Sequence, residues 1–146
     1  MRTFWKTTSA VTFSLALAAC ASTPAPKPPS LYERLGGQPA ITAVVDDFVA
    51  NVAADKRING QFANTNIPRL KMLLVEQICA GTGGPCQYSG RDMKSTHAHM
   101  TISEADFNAL VEDLTRTLDK FKVPEKERGE LMAILGPMKS DIVTVR

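Results

Sequence analysis

The stretch Ser103-Glu104-Ala105-Asp106-Phe107-Asn108-Ala109-Leu110-Val111-Glu112-Asp113-Leu114-Thr115-Arg116-Thr117-Leu118-Asp119-Lys120-Phe121 decides the fold class. Phe107, Leu110, Leu114, Leu118 and Phe121 recur at spacings of three and four, with Val111 beside Leu110. That periodicity gathers them on one face of an α-helix and would scatter them over both faces of a strand. Ser103 followed by Asp106 is a capping-box-like start, in which hydroxyl and carboxylate each accept a hydrogen bond from an otherwise unpartnered backbone N–H. A helix with one apolar stripe is stable only against other elements.

The flanking sequence continues in the same pattern. Toward the C-terminus, Pro124 opens a last helix with Leu131, Ile134, Leu135, Met138 and Ile142 on one side, and Pro137 is placed to kink it. Toward the N-terminus, Asn66 is a cap with Pro68 in the first turn. Leu70, Leu73, Leu74, Gln77 and Ile78 follow, until Gly81, Gly83, Gly84 and Pro85 end that helix. Ile58 to Phe62 reads as a short turn around Gly60. Ile41, Val44, Val45, Phe48, Val49 and Val52 form another broad apolar face, with Pro39 as first helical residue and Asp46, Asp47 and Asn51 facing away. Leu31–Leu35 is a helical turn stopped by Gly36-Gly37. No segment from Leu31 onward alternates with period two, and there is no internal repeat, so the reading is an all-α domain.

The first thirty residues have a different character. Residues 1–6 are short and positive, and the 13 residues from Thr7 to Ala19 are apolar with small hydroxyls. This is the layout of a signal peptide, and it is shorter than the ~20 residues a spanning helix needs. It ends Leu17-Ala18-Ala19-Cys20, which resembles the lipobox of bacterial lipoproteins; an incidental cysteine beside an ordinary cleavage site is the alternative. Lipidation at Cys20 would anchor the chain in a lipid bilayer. Ala21 after the cysteine favours the outer membrane. Pro24, Pro26, Pro28 and Pro29 then make a stiff tether. The expected organisation is a signal peptide over 1–19, a lipidated cysteine and tether over 20–30, and one domain over 31–146, placed in the cell envelope on its periplasmic face.

The charge follows this division. The chain carries 17 basic and 15 acidic residues, but Arg2 and Lys6 lie in the leader, and from Leu31 onward there are 14 basic and 15 acidic. The small positive balance therefore says nothing for a nucleic-acid surface, and no basic run is interleaved with aromatics. Phosphate loops, nucleophile elbows, zinc-protease and haem-attachment cysteine motifs are absent. The only histidines are His97 and His99. On a helix they point about 200° apart, so they do not face one metal from the same side. A single inward histidine is either a hydrogen-bonded core residue or an axial haem ligand, and spacing does not choose between these.

Several segments, in one order, carry a resemblance. They are Leu31-Tyr32-Glu33-Arg34-Leu35-Gly36-Gly37; Val45-Asp46-Asp47-Phe48; Phe62-Ala63-Asn64-Thr65-Asn66 with Arg69-Leu70-Lys71; Gly83-Gly84-Pro85 with Tyr88-Ser89-Gly90; and Met93-Lys94-Ser95-Thr96-His97. Together, over residues 31–145, they resemble the group I truncated haemoglobins. The resemblance implies a two-over-two helical sandwich holding haem b, with His97 as proximal iron ligand and Phe62 packed on the macrocycle. Phe48, Leu70, Leu74, Met93, Ile102 and Phe107 fall at pocket positions; for each, ordinary core packing is the other reading. Arg69 and Lys71 are candidates for the haem carboxylates, or simply a solvated face.

This chain departs from the family on the side opposite the histidine. Members often carry a tyrosine where Val49 stands and a glutamine where Leu74 stands. Val49, Leu70 and Leu74 line that side instead, and Gln77, one turn on, is the nearest polar candidate. The resemblance implies a diatomic gas ligand (O2, NO or CO) and a reductant not identifiable from sequence; whether any turnover occurs stays open. The alternatives are a haem-based electron-transfer or NO-detoxifying protein, and a cofactor-free helical lipoprotein serving as an interaction module. In an oxidising envelope Cys79 and Cys86, flanking the glycine-rich corner, are expected to pair; two buried thiols are the alternative.

Overall fold

The computed structural model describes residues 27–145. The leader and Cys20 lie outside the described residues. Among the described residues, seven α-helices follow one another: α1 (Leu31–Arg34), α2 (Gly37–Ala54), α3 (Ile67–Gly81), α4 (Met93–His97), α5 (Glu104–Lys120), α6 (Glu125–Leu135) and α7 (Lys139–Ile142). Short 3-10 turns occupy Asn59–Phe62 and Gly136–Met138, and no strand occurs among the described residues.

The helix boundaries follow from local chemistry. Ser103 Oγ accepts from the Asp106 N–H while Asp106 accepts from the Ser103 N–H and hydroxyl, a complete capping box. Asn66 accepts from the Arg69 N–H at 3.0 Å, with Pro68 in the first turn of α3. Helix α2 begins two residues earlier than proline placement suggested, at Gly37. Gly36 (φ 93°) and Gly37 (φ 69°) take left-handed backbone to make the corner, and the Gln38 N–H donates to Tyr32 Oη. Pro39 still lies in the first turn, where a missing N–H costs nothing. Pro137 does more than kink the last helix. It has no N–H to donate and crowds the carbonyl four residues back, so α6 stops at Leu135 and α7 resumes only after the 3-10 turn.

Helix α2 packs chiefly against α3 and α5, and the core between them is Ile41, Val45, Val49, Val75, Ile78, Leu114, Leu118 and Leu131. Asp47 and Asn51 do not face away as expected. Both are half-buried toward α5: Thr117 Oγ1 donates to Asp47 at 3.2 Å, and Asn51 Nδ2 donates to Thr117 at 2.9 Å. Lys120 pairs with Asp47 from the rim and, with those donors, holds its carboxyl below the usual carboxylate range. This polar seam fixes the register between α2 and α5.

Asp113, one turn before Thr117, is fully buried, and neither of its oxygens finds a hydrogen-bond partner. Arg116 approaches to 3.1 Å without hydrogen-bonding geometry. Burial pushes the Asp113 carboxyl above its ordinary value, with the Arg116 charge opposing. A carboxyl raised on folding binds its proton more tightly in the native state, so its contribution to stability declines as pH rises from the unfolded carboxylate range through the folded value. Asp113→Asn should therefore raise the Tm at pH 7–8 and lose that advantage near pH 4, a crossover readable in thermal melts across pH.

Candidate functional site

Two adjoining chambers, of about 260 Å³ and about 170 Å³, lie within the helices. Phe62, Leu70, His97, Phe107 and Leu110 belong to the walls of both. The larger is framed by Val45 and Val49 of α2, Leu70 and Leu74 of α3, Leu114 of α5, and Met132 and Met138 beside the α6–α7 break. Its wall has no charged side chain; the polar groups are Gln77, Tyr88, Thr96 and His97. An apolar cavity with a few convergent polar groups is the usual form of a small-molecule or cofactor site.

His97 ends α4. That short helix is started by Asp92, which accepts from the Ser95 N–H (2.8 Å) and hydroxyl (2.7 Å); those bonds hold its carboxyl below the usual range. The helical turn brings His97 Nδ1 within 2.7 Å of the Met93 carbonyl oxygen. A carbonyl only accepts, so Nδ1 is the donor, and in the neutral tautomer the lone pair then stands on Nε2. A neutral imidazole with one nitrogen tied to a carbonyl is the arrangement that orients histidine as a metal ligand through the other nitrogen. His99 lies beyond the helix end, is exposed, and lines neither chamber. No cluster of three or more His, Cys, Asp or Glu suited to a metal ion occurs among the described residues. The donor set is thus one imidazole on an apolar wall, which fits a metal that brings its other ligands with it, as a porphyrin does.

The segment leading into α4 has no regular structure and is pinned at three points. Cys79 and Cys86 form a disulfide, with Cα atoms 5.7 Å apart. Ser89 donates to Glu76 from its N–H (2.9 Å) and hydroxyl (2.7 Å), which keeps the Glu76 carboxyl below its usual range. Tyr88 folds over Gly90 and donates to the Arg91 carbonyl at 3.0 Å; a Cβ at Gly90 would lie 2.3 Å from the tyrosine oxygen. Burial raises the Tyr88 phenol, which stays a neutral donor.

Among the residues singled out in the sequence, Phe48, Phe62, Val49, Leu70, Leu74, Met93, His97 and Phe107 all line the larger chamber. Ile102 lines only the smaller. Arg69 is exposed, Lys71 pairs with Asp46 at 2.9 Å, and neither lines either chamber. Gln77, the polar candidate for the side opposite the histidine, instead donates to Met138 Sδ at 3.1 Å and lies 3.8 Å from Met93 Sδ, which puts its amide beside the histidine helix. Tyr88, Leu110 and Met138 also line the chamber and were not singled out. Met138 sits on the apolar side of the last helix in sequence, and in the structure it ends the 3-10 turn at the Pro137 break.

The family model for the bacterial-like globins matches residues 30–144. The chain belongs to the bacterial-like globin family. This globin is 35% identical over 118 residues to a group 1 truncated hemoglobin of Mycolicibacterium paratuberculosis, covering 81% of this chain and 87% of that one. It is 32% identical to the group 1 truncated hemoglobin of Tetrahymena thermophila, covering 79% and 95%. The 2/2 hemoglobin of Synechococcus sp. PCC 7002, solved in the cyanomet state with covalently attached heme, superposes with a TM-score of 0.76 at 29% identity, covering 80% of this chain and all of that one. The truncated hemoglobin of Tetrahymena pyriformis, in its Fe(III) form, superposes at 0.75 and 29%, covering 79% and 98%. The globin thus has the two-over-two fold of the truncated hemoglobins, and α4 with its preceding loop carries the one imidazole of the chamber.

Proposed function

We propose that this globin binds one haem b through His97 Nε2 and reversibly holds a diatomic gas at the iron, on the side walled by Val49 and Leu74. The observation that carries the reading is the His97 imidazole, its Nδ1 committed to the Met93 carbonyl at 2.7 Å, standing on the wall of an uncharged chamber. Phe62, Phe107, Leu70 and Met93 would sandwich the macrocycle, and Ile102 would close its edge. Haem, when bound, would supply the iron that takes the gas. The protein's own part is to fix the imidazole's tautomer and direction, exclude water with hydrocarbon, and leave room for a small ligand. Titrating haemin into the haem-free full chain should give a Soret band that grows to one equivalent and stops. A chain that takes up no haemin, or binds it without saturation, overturns the reading.

The envelope location is part of the same proposal. It is supported by the positive start, the apolar run and Leu17-Ala18-Ala19-Cys20 before a proline-rich tether. In cells, Cys20→Ser should move the protein from the membrane pellet to the soluble fraction, with haem content per folded chain unchanged. Co-sedimentation of the variant with membranes would count against lipidation.

A further inference from the structure

Helix α4 has five residues, too few to hold a helix without tertiary support. Its entry side is pinned by the disulfide, Glu76 and Tyr88. Its exit side is held by the C-terminal tail, a part of a chain that ordinarily frays. His97 is the last residue of α4, and its carbonyl accepts from the Met100 N–H at 2.9 Å. The Met100 carbonyl in turn accepts from the Thr144 hydroxyl at 2.6 Å, and the same Thr144 oxygen accepts from the Ile102 N–H at 2.9 Å. Thr144 and Val145 both donate their backbone N–H to the Ile102 carbonyl, at 2.9 Å and 3.1 Å. Gln61 adds a bond to the Thr101 carbonyl at 2.8 Å. Before the tail, α7 packs against α4, and Lys139 ties it to the start of α5 through Glu104 at 3.0 Å. Ile142, between Lys139 and Thr144, lines both chambers.

The geometry points to Thr144 as a positioning residue for His97, and to α7 with residues 143–145 as a latch that fixes the direction of the imidazole and so retains the haem. The inference rests on the haem reading above. Thr144 lines neither chamber and acts through the backbone of Met100 and Ile102. Its hydroxyl bridges the peptide groups on both sides of Thr101, donating to one and accepting from the other, so the segment after His97 cannot turn away without breaking both bonds. Valine has the same shape and makes neither bond. Thr144 stands at the surface, so loss of the hydroxyl removes these two bonds without opening the core. The end of α4 then gains freedom, and the His97 ring presents a range of directions to a bound metal instead of one. Partners that orient a ligating histidine typically change metal affinity by roughly 10–100-fold when they are lost. Thr144 acts one step further out, which sets the expected effect at the lower end of that range.

The test compares the haem-loaded full chain with Thr144→Val and Thr144→Ser. Thr144→Val should bind haemin about tenfold more weakly, and the iron–imidazole stretching band of its reduced form should broaden and move to lower frequency. Thr144→Ser keeps the hydroxyl and should restore both. Thr117→Val removes the same atom from the seam between α2 and α5, away from both chambers, and should lower the Tm with the band unmoved. A second measurement needs no variant. Linked equilibria are reciprocal, so haemin favours the closed latch by the factor that an open latch costs haemin. Loading the unmodified chain should therefore slow hydrogen exchange at the Ile102, Thr144 and Val145 amides about tenfold. A Thr144→Val chain with unaltered band and affinity, a band that moves equally in Thr117→Val, or tail amides that exchange alike with and without haemin overturns the inference and leaves haem binding intact. An unmodified chain with no iron–imidazole band overturns the haem reading itself, and the inference with it.

Discussion

His97→Gly should abolish iron ligation by the protein. Haemin affinity should fall by more than the roughly 10–100-fold typical of losing only a ligand's hydrogen-bond partner, because the ligand itself is gone. The Soret band should broaden and shift, and millimolar imidazole should restore it, since removing the side chain leaves a ring-sized void against the Met93 carbonyl. His99→Gly should bind haemin as the unmodified chain does, because His99 is exposed and lines neither chamber. Loss in both variants, or in neither, would contradict the assignment. The contrast is informative because the two residues share type and neighbourhood and differ only in which way the chain turns after α4.

The second large effect concerns the corner that presents that histidine. The disulfide closes a loop with a sequence separation of 7, and the chain-entropy model assigns such a loop about 2–3 kcal/mol. The double variant Cys79→Ala, Cys86→Ala should be destabilised by that amount in urea unfolding, with a Tm about 10 °C or more lower at this domain size. It should also release haemin to an apo-globin acceptor faster. Helix α4 has only five residues and packs chiefly against α7, so its position depends on the pinned segment before it. A stability change below about 0.5 kcal/mol, the ordinary range for surface substitutions, would show that the bond does not constrain the chain. Unchanged haemin release with the full stability loss would show that the Glu76–Ser89 and Tyr88–Arg91 contacts hold α4 by themselves.

The legible parts of the fold were those governed by local rules. The stripe from Phe107 to Leu118, the Ser103 and Asn66 caps and the glycines after α3 depend on periodicity and backbone chemistry within a few residues, and α5 and α3 form where those signals stand. The misreadings were at polar residues whose role is set by a partner far along the chain. Asp47 and Asn51 read as a solvated face because nothing nearby in sequence announces Thr117, 66 residues beyond Asn51. Gln77 was the nearest polar candidate for the open side, with its direction left undecided, because a helix's period gives an angle but not a neighbour; it lines the chamber, and its neighbours Met93 and Met138 lie on other elements. Pro137 was visible as a disruption, but whether a proline kinks a helix or ends it depends on what the freed residues pack against. The candidate site was pointed to by the ordered family segments. Periodicity left His97 as either core residue or ligand, and the Met93 carbonyl and the uncharged chamber supply the physical reason for preferring the second.

The central claim is that His97 Nε2 binds haem iron inside this apolar chamber. Resonance Raman spectroscopy of the reduced, gas-free, haem-loaded protein reads that bond directly as an iron–imidazole stretching band. The account predicts the band in the unmodified chain and in His99→Gly, and its absence in His97→Gly until imidazole is added. A reduced protein with a Soret band but no iron–imidazole stretch, or one whose band survives His97→Gly unchanged, would contradict it.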